Sequence, residues 1–284
     1  MSNIQPFDPA QGRLQYSNLQ FLKLGGSLIT DKYTPHSPRI DVIARLAQEI
    51  KTALNENDNL RLVLGHGSGS FGHVPAKKYG TRQGVDSTEG WRGFAEVWYE
   101  ASSLNRIVID AFQEVGLPVV AFPPSGAVTT SRGQVTNWNV DPIRHALDAG
   151  ILPVVYGDVV FDEILGGTIL STEDLFMHLA QELKPRRISL AGIDEGVWAD
   201  YPQCTQLIPE ITPGNWDQIA ASIGNSAATD VTGGMASKVK QMLDLVEGVS
   251  DLEVLIFSGD QPKNVFVGLN GEIVGTQMHK KTNV

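Results

Sequence analysis

The run Leu60-Arg61-Leu62-Val63-Leu64 passes directly into Gly65-His66-Gly67-Ser68-Gly69-Ser70-Phe71-Gly72-His73. The first five residues read as a buried strand. The glycines that follow let the backbone turn sharply and approach a ligand without Cβ clashes. Backbone N–H groups in such a loop, above all where it opens a helix, form an anion cradle. His73 adds a donor that titrates near neutral pH. An ordinary tight strand-to-helix connection would use the same residues, so the rest of the chain has to decide.

The alternation continues along the chain. Strands are expected at Leu19–Leu24, 118–122, 152–156, 187–191 and 253–257. Between them lie helical patterns over 41–55, 91–115, 140–149, 171–183 and 235–248. Asp41 is expected to cap the first of these, with Ile40, Ile43, Leu46, Ala47 and Ile50 on one face. Ser171-Thr172-Glu173-Asp174 reads as a helix start with a hydroxyl cap and acids in the first turn. A small hairpin is expected around Arg132-Gly133, a short helix near 216–222, and short strands near 264–267 and 273–279. Continuous apolar strands alternating with helices predict a mostly parallel sheet covered on both faces. Ligands of such sheets sit at the carboxyl ends of the strands, and there the glycine turns recur.

Composition narrows the function. With 42% hydrophobic residues in 284, the chain can bury a large core. A flexible segment is expected over 1–18, where Pro, Gln, Gly and Asn dominate. One domain is expected over 19–284. A single cysteine, Cys204, leaves no internal disulfide and no cysteine zinc site. No apolar run approaches membrane-span length, and the N-terminus lacks the pattern of a signal peptide, so a cytoplasmic location is expected. The net charge of −10 argues against a nucleic-acid partner. An acidic protein that handles phosphate must concentrate its few cations at the site.

Three lysines stand out. Lys23 lies inside an apolar strand, where its head group needs a partner; with Gly25, Gly26 and Ser27 beside it, phosphate is the expected one. Lys32 follows Ile29-Thr30-Asp31 in the next loop. Lys238 falls one turn into the helix that opens at Gly233-Gly234. Together they suit phosphoryl transfer, where catalysis is mostly positioning and charge neutralisation. The order of residues fits neither a Walker A loop nor a dinucleotide fingerprint. Asp158 and Asp194, just past strand ends, suit orienting lysines, holding a ribose, binding Mg²⁺ water or capping turns. His66 reads as packed or capping.

The set Lys23-x-Gly-Gly-Ser27, the loop 65–73, Tyr156-Gly157-Asp158-Val159, Gly192–Val197 and Thr232-Gly-Gly-Met235 with Lys238 resembles the amino acid kinase superfamily. The endings at His73 and at Lys32 are similar to the isopentenyl phosphate kinases within it. The resemblance covers about residues 20–280. It implies a three-layer α/β/α sandwich, with acceptor binding over about 19–165 and nucleotide binding over about 166–284. It further implies ATP and Mg²⁺, no residue being assigned as a metal ligand, and a homodimer. By the same resemblance Lys23, Gly25, Gly26 and Ser27 face the ATP phosphates, and Gly69 approaches the transferring phosphate. Lys32 stabilises transition-state charge. His73 holds the acceptor's phosphate, with Gly67, Ser68 and Gly157 around it. Asp194, Gly233 and Lys238 serve the nucleotide. The family usually has glycine where this chain has Ser68.

A monophosphate with an apolar tail wants a donor such as His73 and an apolar wall. Phe94, Val97, Trp98 and Ala101 offer one helical face for that wall. The function expected is ATP-dependent phosphorylation of isopentenyl phosphate to the diphosphate. The alternatives are a sister kinase acting on fosfomycin or another small phosphate or phosphonate, and a non-catalytic nucleotide or oxyanion binder on the same fold.

Overall fold

The computed structural model describes residues 16–223 and 234–280. The N-terminal segment expected over 1–18 thus lies mostly outside the described residues. In chain order the elements are β1 (Leu19–Leu24), α1 (Gly26–Ile29), α2 (Ile40–Glu56), β2 (Arg61–His66), α3 (Gly69–Tyr79), α4 (Thr88–Glu114), β3 (Val119–Ala121), β4 (Val128–Ser131), β5 (Gln134–Trp138) and α5 (Asp141–Asp148). There follow β6 (Leu152–Tyr156), β7 (Asp158–Asp162), β8 (Gly166–Leu170), α6 (Thr172–Leu183), β9 (Arg187–Gly192), β10 (Val197–Trp198), β11 (Leu207–Ile208), β12 (Glu210–Ile211), α7 (Trp216–Ile223), α8 (Gly234–Gly248), β13 (Glu253–Ser258), α9 (Asn264–Leu269) and β14 (Thr276–His279).

Eight strands form one sheet in the order β12-β14-β13-β9-β1-β2-β6-β3. β13 and β14 run antiparallel; every other adjacent pair is parallel. Side chains alternate across the central strand β1. Leu19 and Phe21 enter a buried cluster with Phe176 of α6 and Met242 of α8. Leu22 and Leu24 enter the opposite cluster, with Leu46 of α2 and Val108 of α4. That gives the three layers expected, with the sheet buried on both faces. Among the described residues no helix is long and apolar enough to cross a membrane.

Several local expectations change. Asp41 is not the cap of α2: the helix begins at Ile40, and Ile40 itself is exposed. Arg39 fixes that start by tertiary bonds, its N–H donating to Ile29 O and its guanidinium to Leu28 O and Asp260. The loop 65–73 is shorter than its glycines suggest, because Gly69 already opens α3. Asp158, read as lying just past a strand end, instead opens the antiparallel hairpin β7–β8 over 158–170, where no element was expected; it completes a second sheet β5-β4-β7-β8 with the predicted hairpin β4–β5. Asp162 binds the two turns together, accepting from the N–H groups of Gly133, Ile164 and Leu165 and from Thr130 Oγ1. Burial opposes its ionisation, but these donors prevail and hold the carboxyl far below the usual range.

The apolar run at 264–267 is helical, not a strand. Glu49 of α2 accepts from Lys263 N and Phe266 N at the start of α9. Buried Arg187 takes the carbonyls of Gly268 and Gly271 at its end. These partners, distant in sequence, decide a run that is locally ambiguous. The short helix near 216–222 forms as α7.

Candidate active site

β1 and β2 are parallel neighbours in register, Leu24 opposite His66. Their carboxyl-end turns therefore meet. A Cβ on Gly26 would stand 2.5 Å from Gly69 N, and one on Gly67 would stand 2.8 Å from Gly26 N. The two glycine turns touch backbone to backbone. Gly69 takes φ +49°, a conformation that favours glycine. Thr30 fastens the pair: its Oγ1 donates to Gly26 O at 2.8 Å and accepts from Ser70 N at 3.0 Å.

A cavity of about 690 Å³ opens over these turns. Its wall gathers Lys23, Gly25, Gly26, Ser27 and Lys32 from the first turn, and Gly67, Ser68, Gly69 and His73 from the second. Gly157, Asp194 and Lys238 complete the predicted set on that wall. Gly233 lies outside the described residues. Phe94 and Trp98 are not brought to the cavity. Phe94 is buried in an aromatic cluster with Trp91 and Phe161, at 5.3 and 5.1 Å between ring centroids, and Trp98 is 45% exposed. The buried face of α4 follows Phe94, Val97, Ala101 and Leu104, and Val97 of that face lines the cavity.

Lys23 has a protein partner that the sequence did not identify. Its ammonium pairs with Glu173 of α6, both side chains nearly buried. Burial alone would raise the Glu173 carboxyl; Lys23 and then Lys238 outweigh it and hold the group below the ordinary range. One carboxylate thus lies between two cations from opposite ends of the chain. Glu173 reached that place because Ser171 and Asp174 form a complete capping box, which fixes where α6 begins. Gly65 lets α6 come close: a Cβ there would stand 2.5 Å from Thr172 Cγ2 and 2.7 Å from Phe176 Cζ. The legible signal was Lys23 itself, a cation in a buried strand that needs a counter-charge.

His66 is packed, as expected, and it orders the second turn. It stacks on Tyr156, with Nδ1 3.1 Å from Gly67 O and Nε2 3.1 Å from Asn105 Oδ1. Burial lowers its pKa, so the ring is neutral and carries one N–H. With Gly67 O and Asn105 Oδ1 both against the ring, its one N–H serves one of two acceptors, and the tautomer decides which. Because Gly67 O faces the ring, the Ser68 N–H of the same planar peptide points away from His66. The Ser68 hydroxyl lies over Gly72, so it takes the space a Cβ would need there.

The amino acid kinase family model matches residues 18–258. The chain belongs to the amino acid kinase family. It is 34% identical over 269 residues to the isopentenyl phosphate kinase of Methanocaldococcus jannaschii, covering 92% of this chain and 98% of that one. To the isopentenyl phosphate kinase of Methanothermobacter thermautotrophicus it is 35% identical over 272 residues, with the same shares covered. A solved isopentenyl phosphate kinase superposes with a TM-score of 0.77 at 30% identity, over 92% of this chain and 100% of that one.

In this amino acid kinase Asp158 follows Gly157 into β7, not a loop, and is buried. Burial pushes its carboxyl up to about 7, against the pull of Ser125 and of Val159 N–H. Oδ1 accepts from Val159 N at 2.8 Å, while the Ser125 hydroxyl pulls on the carboxyl without a hydrogen bond of normal geometry to Oδ2. Between about pH 4 and 7 the folded state keeps a proton that the unfolded chain has released, so stability falls as pH rises through that window. Asp158→Asn is expected to raise stability at pH 8 by about 2–4 kcal/mol and to change little at pH 4. Urea midpoints at the two pH values test this, and equal shifts at both would sink it.

Proposed function

We propose that this protein transfers the γ-phosphoryl group of ATP to isopentenyl phosphate, giving isopentenyl diphosphate and ADP. The observation that carries the reading is the contact of the two glycine turns under one cavity, with Lys23, Lys32, His73 and Lys238 around it. An acceptor phosphate oxygen attacks the γ-phosphorus as the bond to the ADP oxygen breaks. A phosphate dianion is already a competent nucleophile, so no general base is required. The protein's task is to hold two polyanions in line and neutralise the spreading charge.

In this reading the first turn, Lys23 and Lys238 belong to the nucleotide side, with Asp194 and Gly233. Glu173 pairs with Lys23 and offsets the repulsion between the two lysines. Lys32 and Gly69 serve the group in transit. His73 and the second turn hold the acceptor's phosphate, and Gly157 borders it. The tail lies against Val97 and Ile169, both on the cavity wall. Among the described residues no cluster of three or more His, Cys, Asp or Glu side chains is placed to hold a metal ion. Mg²⁺ characteristically keeps phosphate oxygens and water as most of its ligands, which suits a Mg²⁺ carried by ATP. The reading includes a cytoplasmic location, from the sequence pattern, and a homodimer, as the resemblance implies.

An acceptor screen with ATP tests the assignment. Isopentenyl phosphate is expected to give the highest kcat/KM against longer prenyl phosphates, fosfomycin and amino acids. A better amino acid or phosphonate acceptor would overturn it. His73→Ala is expected to lower kcat/KM for the acceptor by roughly 10- to 100-fold, the worth of one charge-assisted hydrogen bond. The KM for ATP should hold. Equal losses for both substrates would show that His73 supports the turn and does not read the acceptor.

A further inference from the structure

The loop that carries Lys32 reaches into solvent, and Tyr33 beside the lysine is 90% exposed. Its internal hydrogen bonds fix its shape, not its place: Asp31 N donates to Ser37 O, and the Asp31 carboxylate accepts from Tyr33 N and Thr34 Oγ1. At its base Arg39 ties the chain to Leu28 O and Asp260. Beyond that base, among the described residues, His36 alone of 31–37 makes a side-chain hydrogen bond or ring contact outside the loop. Its Nδ1 stands 2.8 Å from Glu100 Oε2 of α4. Its ring meets buried Phe71 of α3 edge-on, at 5.4 Å between centroids. The carboxylate accepts, so Nδ1 carries the hydrogen. α3 and α4 are the helices that bring His73 and Val97 to the cavity.

Glu100 is unlike a carboxylate of a loose surface pair, which would hold nothing measurable. Its side chain is 15% exposed, and it lies one turn past Val97, beside the buried face of α4. A carboxylate withdrawn that far from water needs a donor, and His36 supplies it. His36 takes φ +53°, a left-handed conformation uncommon for a residue with a side chain. Such backbone persists where its surroundings over-determine it.

We propose that His36 and Glu100 are positioning residues for Lys32: the pair fastens the loop to α4 and so sets where the lysine stands over the two glycine turns. This rests on the phosphoryl-transfer reading above, in which Lys32 serves the group in transit. Lys32, Tyr33 and Pro35 line the cavity, whereas His36 and Glu100 do not. The pair therefore acts on the reaction only through the loop it holds.

Glu100→Ala tests this, since alanine suits a helix and the variant should fold. With isopentenyl phosphate and ATP, kcat is expected to fall roughly tenfold, less than in Lys32→Ala, because a loosened lysine still visits its place. The KM for ATP should stay within about twofold of wild type. Glu100→Gln keeps an oxygen that accepts from Nδ1 and should recover most of kcat. In a Lys32→Ala background Glu100→Ala should cost nothing further, because its effect passes through the missing lysine. Hydrogen exchange reads the latch without turnover: the Asp31 and Tyr33 amides should exchange faster in Glu100→Ala and recover in Glu100→Gln. Unchanged exchange over 31–37 overturns the proposal whatever the substrate. So does an equal loss from Glu100→Ala with and without Lys32, which marks a structural carboxylate. A normal kcat in Glu100→Ala beside a lowered one in Lys32→Ala overturns the proposal and leaves the reading of the reaction intact. A normal kcat in Lys32→Ala, or a wild type that leaves isopentenyl phosphate unphosphorylated, overturns both together.

Discussion

Lys32→Ala is expected to lower kcat by roughly 10²-fold or more while ATP binding changes little. Lys32 lies on the cavity wall in a loop that is closed on itself. Thr30 bridges to Pro38, and Asp31 N donates to Ser37 O at 2.8 Å. The Asp31 carboxylate accepts from Tyr33 N and Thr34 Oγ1, and the Tyr33 N–H holds that carboxyl below its ordinary range. The loop thus carries its lysine at a defined height over the turns. A cation fixed in advance neutralises charge that appears only in the transition state, so its loss falls on kcat. Lys32→Arg keeps the charge and should recover part of the loss. Saturating steady-state kinetics with a separate ATP titration tests this. A normal kcat in the alanine variant removes Lys32 from the mechanism.

Gly26→Ala is expected to lower kcat/KM by 10²-fold or more for both substrates. The added Cβ would stand 2.5 Å from Gly69 N and 2.7 Å from Gly69 Cα. Both obstacles are backbone, so no rotamer change relieves them. The turns after β1 and β2 must separate, and they carry opposite sides of the proposed reaction. A misplacement of about 1 Å is enough to cost 10²-fold in an aligned transfer. Gly133→Ala is the internal control: nothing stands within 4 Å of a Cβ there, although its φ of +75° adds modest local strain. The control should keep wild-type kcat/KM. Activity near wild type in Gly26→Ala would show that the turns are not in the contact described.

Much of the fold is legible in the chain. Strand β1 at Leu19–Leu24 follows from its run of apolar residues, and α6 from its cap residues Ser171 and Asp174. Hydrophobic periodicity and caps are local, and local signals survive in the sequence. The short apolar run Val265-Phe266-Val267 carries no such signal: Glu49 and Arg187 make it a helix by meeting its ends. The hairpin β7–β8 likewise depends on Asp162 reaching across to Gly133.

The site divides in the same way. Lys23, Lys32, His73 and the glycines could be singled out because each residue type is costly or unusual where it stands. Glu173 could not: an acid in the first turn of a helix is ordinary, and its pairing with Lys23 exists only once α6 is laid against β1. Trp98 and Val97 show the converse. Their helix was legible, but which side of it meets the cavity depends on how α4 packs, and that places Val97 inside and Trp98 outside. The sequence by itself determined the layered α/β plan, the glycine turns and the cations that would serve a phosphate. The tertiary structure alone decided which turn faces which, what balances Lys23, and which wall meets the ligand. Periodicity and residue cost act over a few neighbours, whereas ion pairing and packing join residues as far apart as Lys23 and Glu173, or Arg39 and Asp260.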